Sequence, residues 1–177
     1  MRQAARSMNV ADLAVAVEEL RKRVELLSAG PGMPIDPLER IYHDAFAFVA
    51  MPFGPEGLQV VYDDYIKPTV EGYCALKCIR GDDMPGSGVI MSNIINAISE
   101  AEFVIADLTD QNANVLYEVG LAHAMNKPTL LVSQSLDEMP FDLRHHRVLR
   151  YEYSPHGCKI LEQKLKKHIT EMRNQQP

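Results

Sequence analysis

The sequence has few cysteines, no long apolar segment and no excess of positive charge, and each absence excludes a class of protein. Its three cysteines are an odd number, which argues against a disulfide framework and for a reducing cytoplasm. No apolar run approaches the roughly 20 residues that cross a bilayer, and no hydrophobic segment of a secretory signal follows the N-terminus. A net charge of −6 disfavours a general nucleic-acid binder. We therefore expect a cytoplasmic protein that binds neither membranes nor nucleic acids.

The chain has enough apolar sequence for one folded domain and an N-terminal appendage, since 46% of its 177 residues are hydrophobic. In residues 1–30, apolar side chains alternate between spacings of three and four, which predicts a heptad-patterned helix. So short a heptad-patterned helix must pack against a partner, which is either a second copy of the helix or the chain's own domain. We favour a homo-oligomer through this helix. Residues 31–40 contain three prolines and are interpreted as a linker, and residues 41–177 as the folded domain.

Short apolar runs alternate with amphipathic segments throughout the predicted domain. This alternation predicts an α/β fold of three layers, α/β/α, around a five-stranded, mostly parallel sheet. With the strand order 2-1-3-4-5, the loops after the first and third strands meet at the carboxyl edge of the sheet, where such folds bind ligands. These loops are Met51–Gly54 and Asp107–Asn112. The five runs predicted as strands are residues 45–50, 75–79, 103–106, 128–133 and 148–151.

The segment Phe103–His123 passes from a predicted strand through polar residues into a predicted helix, and Glu118 lies on the first turns of that helix. The helix dipole favours its ionised form, whereas apolar neighbours raise its pKa. An ionised carboxylate in a crevice can attack an anomeric carbon or stabilise the oxocarbenium-like charge that forms there. The alternative is a structural acid that bonds backbone donors or pairs with a lysine.

Polar residues around this turn have two interpretations each. Asp107 ends the strand, where a carboxylate either bonds ribose hydroxyls and orients a base or caps the following turn. Asn112 and Asn114 either contact a ligand or cap the helix, and capping accounts for one of them. We keep all three as candidate site residues.

The loop after the first strand contributes an apolar wall and an aromatic face for a nucleobase, or it covers the core. Its candidate residues are Met51, Pro52 and Phe53. The neighbouring histidines His145 and His146 have no third ligand at metal spacing, so we predict no metal site.

Several of these segments resemble the nucleoside 2-deoxyribosyltransferase-like superfamily, and more closely its bacterial branch described as TIR-like nucleotide-binding proteins. The resemblance covers roughly residues 46–151, and the run ending Tyr-Glu-x-Gly-x-Ala-His is its most specific part. It implies a flavodoxin-like fold and chemistry at an N-glycosidic bond, with Glu118 as the nucleophile that forms a glycosyl-enzyme. The matching segments are Phe48–Phe53, Ile105–Thr109, Asn112–His123, Lys127–Pro128 and Pro140–Arg144.

The chain departs from the transferases at one position. They carry Asp-x-Gly-Thr-x-x-Glu, whose Asp helps to protonate the leaving base, whereas this chain has Asn112 there, which cannot donate a carboxyl proton. Asp107 is a candidate substitute. The departure favours a leaving group that needs little protonation, such as the nicotinamide of NAD in the related TIR-type NAD hydrolases. It equally favours a module that binds a nucleotide without cleaving it.

We therefore predict an enzyme that cleaves or transfers at the N-glycosidic bond of a nucleoside, nucleotide or NAD, with Glu118 and Asp107 as catalytic residues. The alternative prediction is a nucleotide-binding sensor without turnover. No cofactor is expected, and NAD enters only as a possible substrate. The predicted substrate-binding residues are Met51, Pro52, Phe53, Asn112 and Asn114.

Overall fold

The computed structural model describes residues 44–81, 90–136 and 139–174, with the side chains of 90–92 also outside the description. The helix predicted in residues 1–30 and the linker at 31–40 therefore lie outside the described residues, and those predictions are not tested. Within the described part of the chain, no helix is long and apolar enough to cross a membrane.

The described residues form five strands joined by helices, in the predicted alternation. The strands are β1 Phe46–Ala50, β2 Lys77–Arg80, β3 Phe103–Asp107, β4 Thr129–Ser133 and β5 Val148–Arg150. The α-helices are α1 Glu56–Val61, α2 Ile90–Glu100, α3 Ala113–Ala124 and α4 Pro155–Asn174. Two short 3-10 turns cover Thr109–Gln111 and Phe141–Leu143.

The strands form one sheet in the order β2-β1-β3-β4-β5, and every neighbouring pair is parallel. This confirms the predicted α/β fold and the order 2-1-3-4-5. In the register of β1 against β3, Val49 lies opposite Ile105 and Ala50 opposite Ala106. Both strands therefore end at the same level, and the loops that follow them lie side by side at the carboxyl edge.

The two faces of the sheet carry separate hydrophobic cores. Because side chains alternate along a strand, Ala47 and Val49 of β1 enter one core, with residues of α1 and α4, whereas Phe46 and Phe48 enter the other, with residues of α2 and α3. A strand buried on both faces is a continuous apolar run, which is why β1 was recognisable in the sequence.

Helix α1 continues in two π-helical segments, Tyr62–Ile66 and Thr69–Tyr73. Pro68 lies between them and has no N–H to donate, and the Lys67 N–H bonds to the carbonyl of Tyr62, five residues back. In a regular α-helix each four-residue step turns about 40° beyond a full circle. The wider π turns offset this drift and keep every fourth residue on the buried face. That row is Leu58, Tyr62, Ile66, Val70 and Cys74.

We expect Gly157→Ala to destabilise the fold by about 1–3 kcal/mol, because this glycine leaves no room for a side chain. A Cβ at Gly157 would collide with the backbone carbonyl oxygen of Glu152 and would lie 2.9 Å from the Glu152 Cβ. The matched control is Gly120→Ala in α3, where nothing lies within 4 Å of the added carbon. Urea unfolding should show a gain of about 0.5–1 kcal/mol for the control. Equal effects of both substitutions would contradict the steric explanation.

Candidate active site

Asp107 ends β3 with its side chain fully buried. Its Oδ1 accepts a hydrogen bond from the Thr109 N–H at 2.9 Å, and its Oδ2 accepts one from the Tyr151 hydroxyl at 2.6 Å. Burial raises the pKa of this carboxyl, although the hydrogen bonds from Thr109 and Tyr151 oppose the increase. Both oxygens are thus occupied by protein donors, one of them in the capped turn that was the alternative interpretation.

The bond to Tyr151 belongs to a network across the carboxyl ends of three strands. The Tyr151 hydroxyl also accepts a hydrogen bond from Gln134 Nε2 at 3.2 Å, and the Gln134 N–H donates to Thr109 Oγ1 at 3.2 Å. Burial, reinforced by the nearby Asp107 carboxylate, raises the pKa of Tyr151, so its hydroxyl stays protonated and donating. The network fixes the ends of β3, β4 and β5 against one another.

The turn after β3 has an unusual backbone. Asp110 and Gln111 are adjacent non-glycine residues with φ values of 60° and 48°, in the left-handed region that side chains disfavour. The turn reverses the chain so that Asn112 begins α3. Asn112 Oδ1 accepts hydrogen bonds from the N–H groups of Asn114 at 3.0 Å and Val115 at 3.4 Å, so Asn112 is the N-cap. The side chain of Asn114 is exposed.

Glu118 lies on the buried face of α3 together with Val115 and Val119, and only 9% of its surface is exposed. Burial raises the pKa of its carboxyl to about 7. Within residues 44–81, 90–136 and 139–174, the carboxyl has neither a hydrogen bond nor an ion pair. The alternative interpretation, a structural acid bonded to backbone donors or a lysine, finds no partner in the described part.

The loop after β1 exposes one of its three predicted side chains. Met51 and Pro52 are buried, and Met51 packs into the core on the α1 side, whereas Phe53 is 54% exposed. The guanidinium of Arg80, at the end of β2, lies 5.4 Å from the Phe53 ring centroid and 4.2 Å from that of Tyr62. This places one face of the Phe53 ring against a cation and leaves part of the ring open to solvent.

Sequence reasoning missed Arg80, which is only 4% exposed and whose Nη2 donates to Gln59 Oε1 at 2.9 Å. Its position supplied a signal, since a charged residue ending a buried strand beside a candidate ligand loop has the placement expected of a site residue. Its contacts with the Phe53 and Tyr62 rings had no local signal, because they join residues from three separate segments of the chain.

The histidines predicted not to form a metal site contact other rings. His146 stacks on His123 with ring centroids 4.5 Å apart, and the ring of His145 meets the edge of Phe141 at 5.8 Å. Burial and the neighbouring His146 lower the pKa of His123. Among the described residues, no group of three His, Cys, Asp or Glu side chains could hold a metal ion. The stack joins α3 to the segment before β5.

A cavity of about 180 Å³ opens between the carboxyl ends of β3 and β4. It lies next to the turn that precedes α3, and Glu118 does not line it. Its lining residues are Leu108, Thr109, Asp110, Gln111, Ser133, Gln134, Ser135 and Met139.

The structure thus brings the two predicted loops together and separates the candidate residues by accessibility. Phe53 and Asn114 are open to solvent, and Glu118 is nearly buried and has no partner among the described residues. Asp107, Asn112 and the residues before Phe53 are engaged in the protein's own packing and hydrogen bonds. The catalytic and binding roles of the seven candidates stay predictions.

Neither a family model nor a curated protein sequence matches this chain. Solved structures do match it at low identity. The 2-deoxyribosyltransferase of Leishmania mexicana is 18% identical, with 70% of this chain and 98% of that one covered and a TM-score of 0.49. The enzyme of Bacillus psychrosaccharolyticus is 16% identical, with 67% and 90% covered and a TM-score of 0.49.

The TIR domain of a Toll-related receptor from Hydra magnipapillata is 13% identical, with 72% of this chain and 95% of that domain covered and a TM-score of 0.52. At such identities the likeness shows a shared fold. The α/β fold of this chain is therefore one that a TIR domain also has.

Proposed function

We propose that this protein cleaves or transfers at the N-glycosidic bond of a nucleoside, nucleotide or NAD, with Glu118 as the nucleophile. The observation that supports this most is a carboxyl that is nearly buried and has no partner among the described residues. A buried carboxylate without a cation weakens a fold, and groups with such strongly shifted pKa values cluster at functional sites. The motif around Glu118, which resembles that of the transferases, supports the same role.

The proposed reaction uses the ionised form of Glu118. A carboxylate oxygen forms a bond to the anomeric carbon while the bond to the base nitrogen breaks, and its electron pair leaves with the base. Water or an acceptor base then attacks the same carbon and releases the carboxylate. Apolar surroundings strengthen the attraction between Glu118 and the positive charge that develops on the sugar.

The hydrogen bonds of Asp107 and Asn112 favour a leaving group that needs no proton. Asn112 is the helix cap, and both oxygens of Asp107 accept bonds from the protein. Asp107 would reach a ligand only after exchanging those bonds, so we propose that it positions the turn rather than donating a proton. Nicotinamide leaves NAD as a neutral molecule without protonation. In this proposal Phe53 stacks on the base and Asn114 contacts the ribose.

The test is to incubate the full chain with a panel of nucleosides, nucleotides and NAD and to measure free base by chromatography. Wild type should release base from at least one member, and Glu118→Gln should not. The control is Glu100→Gln, which makes the same change at an exposed position of α2 and should retain activity. Equal release by wild type and Glu118→Gln would remove Glu118 from the mechanism.

The pH dependence should report the ionisation of Glu118. Because attack needs the carboxylate and burial raises its pKa to about 7, kcat/KM should rise about tenfold per pH unit below 7 and level off above it. The measurement is kcat/KM for the best substrate between pH 5 and 9. A rate that is flat between pH 5 and 7 would show that no group with this pKa must be ionised.

A second candidate function is nucleotide sensing without turnover. The engagement of Asp107 and Asn112 favours it, because no acid besides Glu118 remains among the predicted site residues to protonate an ordinary base. Tight nucleotide binding without release of base, accompanied by a change in oligomeric state, would select this function. The predicted homo-oligomer through residues 1–30 belongs to that proposal.

A further inference from the structure

The cavity between β3 and β4 carries hydrogen-bond acceptors that no donor occupies within the described residues. The Asp110 carboxylate has no hydrogen bond or ion pair within the described residues. Gln134 donates through Nε2 to Tyr151, and in the described part of the chain its Oε1 receives no donor. Both residues line the cavity. A ligand there must therefore supply donors.

Other hydrogen-bonding groups that line the cavity already bond to atoms of the protein. Ser133 is 1% exposed, and its hydroxyl donates to the Ser135 carbonyl at 2.6 Å and accepts from the Ser135 N–H at 3.2 Å. The hydroxyl of Thr109 accepts the Gln134 N–H. A carboxylate at the rim repels phosphate, so the group that fits supplies hydrogen-bond donors and carries no negative charge. The vicinal diol of a ribose has this chemistry.

The sheet order sets the distance between this cavity and the Phe53 ring. Phe53 lies against Arg80 at the end of β2, and the order β2-β1-β3-β4 puts the cavity about two and a half strand spacings away, or about 12 Å. A nucleoside with its base on Phe53 places its sugar near the gap between β1 and β3. A further group, joined through phosphates, is needed to reach the cavity.

We propose that the cavity beside Asp110 and Gln134 is a subsite for the second ribose of a dinucleotide, whose diol donates hydrogen bonds to these two acceptors. The proposal deepens the proposed function, on which it rests for the position of the first nucleoside. It names the substrate class as a dinucleotide rather than a single nucleoside.

The experiment compares NAD with nicotinamide riboside, which lacks the second ribose, by calorimetric binding to the full chain carrying Glu118→Gln to prevent turnover. Asp110→Gly removes the acceptor and keeps the backbone, because glycine adopts the φ of 60° readily. It should raise the Kd for NAD about tenfold or more and leave that for the riboside unchanged. Asp110→Asn keeps a neutral acceptor, so its Kd for NAD should lie between the value with Asp110 intact and that of Asp110→Gly.

The matched control is Asn126→Gly, which makes a similar change at a φ of 53° in the connection between α3 and β4, outside the cavity lining. It should leave both Kd values unchanged. The subsite is refuted if Asp110→Gly leaves the ratio of the two Kd values unaltered, or if the chain does not bind NAD with Asp110 intact. Binding results of the expected kind, combined with no base release by wild type, would refute the proposed reaction and keep the subsite.

Discussion

Glu118→Gln is expected to slow base release by at least about a thousandfold, because the amide cannot form a bond to the anomeric carbon. The side chain keeps its size and hydrogen-bonding shape, so the substitution removes the ionisable oxygen and little else. If Glu118 only stabilised charge without bonding, the loss would be smaller and some release would persist. Single-turnover measurements with the best substrate of the panel separate the two cases.

The same variant should be more stable than wild type at high pH. The Glu118 carboxyl has its pKa raised from 4.5 to about 7 in the folded state, so the folded protein binds more protons than the unfolded chain between these values. Wild-type stability therefore falls as pH rises from 4.5 to 7, by roughly 2–3 kcal/mol. Glutamine does not titrate and avoids this loss.

Urea unfolding at pH 5 and pH 8 checks the stability expectation. The variant should match wild type near pH 5 and exceed it at pH 8, while Glu100→Gln should differ little at either pH. A variant that is less stable at both values would mean that the carboxylate holds the fold together. Loss of activity combined with higher stability at pH 8 identifies a group retained for chemistry.

The second large effect is expected from Tyr151→Phe, which should destabilise the fold by about 2–4 kcal/mol. The substitution removes the 2.6 Å hydrogen bond to the buried Asp107 carboxylate and leaves the Nε2 of Gln134 without its acceptor. Since the bond from Tyr151 lowers the pKa of Asp107, its loss should raise that pKa further. The destabilisation should therefore be smaller at acidic pH, where Asp107 is protonated, than at neutral pH.

The control is Tyr153→Phe, the same change two residues further along at a side chain that is 52% exposed. It should alter the free energy of unfolding by no more than about 0.5 kcal/mol. Both variants are followed by urea unfolding at pH 5 and 7.5. A Tyr151→Phe protein as stable as the control would show that solvent or another donor satisfies Asp107.

The sheet was predictable because its signals are local. The continuous apolar run of β1 identifies a buried strand, and the alternation of strands with amphipathic helices predicts a parallel sheet. The N-cap role of Asn112 was one of the two interpretations that the sequence allowed, because a capping residue is recognised from the few residues that follow it. The burial of Met51 also had a local signal, since Ala47, Val49 and Met51 alternate toward the same core.

The state of Asp107 could not be read locally. A carboxylate at the end of a strand looks the same whether it faces a ligand or caps a turn. The difference depends on the Tyr151 hydroxyl, 44 residues further along the chain. Glu118 had the same ambiguity, because whether its carboxyl has a partner depends on the elements packed around the helix and not on the helix alone.

The row of buried side chains at every fourth residue, from Leu58 to Cys74, has a consequence for comparing this chain with others. A relative whose corresponding helix is an unbroken α-helix must space its inward side chains at 3.6 residues, so its pattern drifts against this one by a residue within a few turns. Pairing the two by eye or by profile then needs a gap in the middle of a helix, where gaps are penalised most. Two chains can therefore share this architecture and still seem unrelated along this stretch.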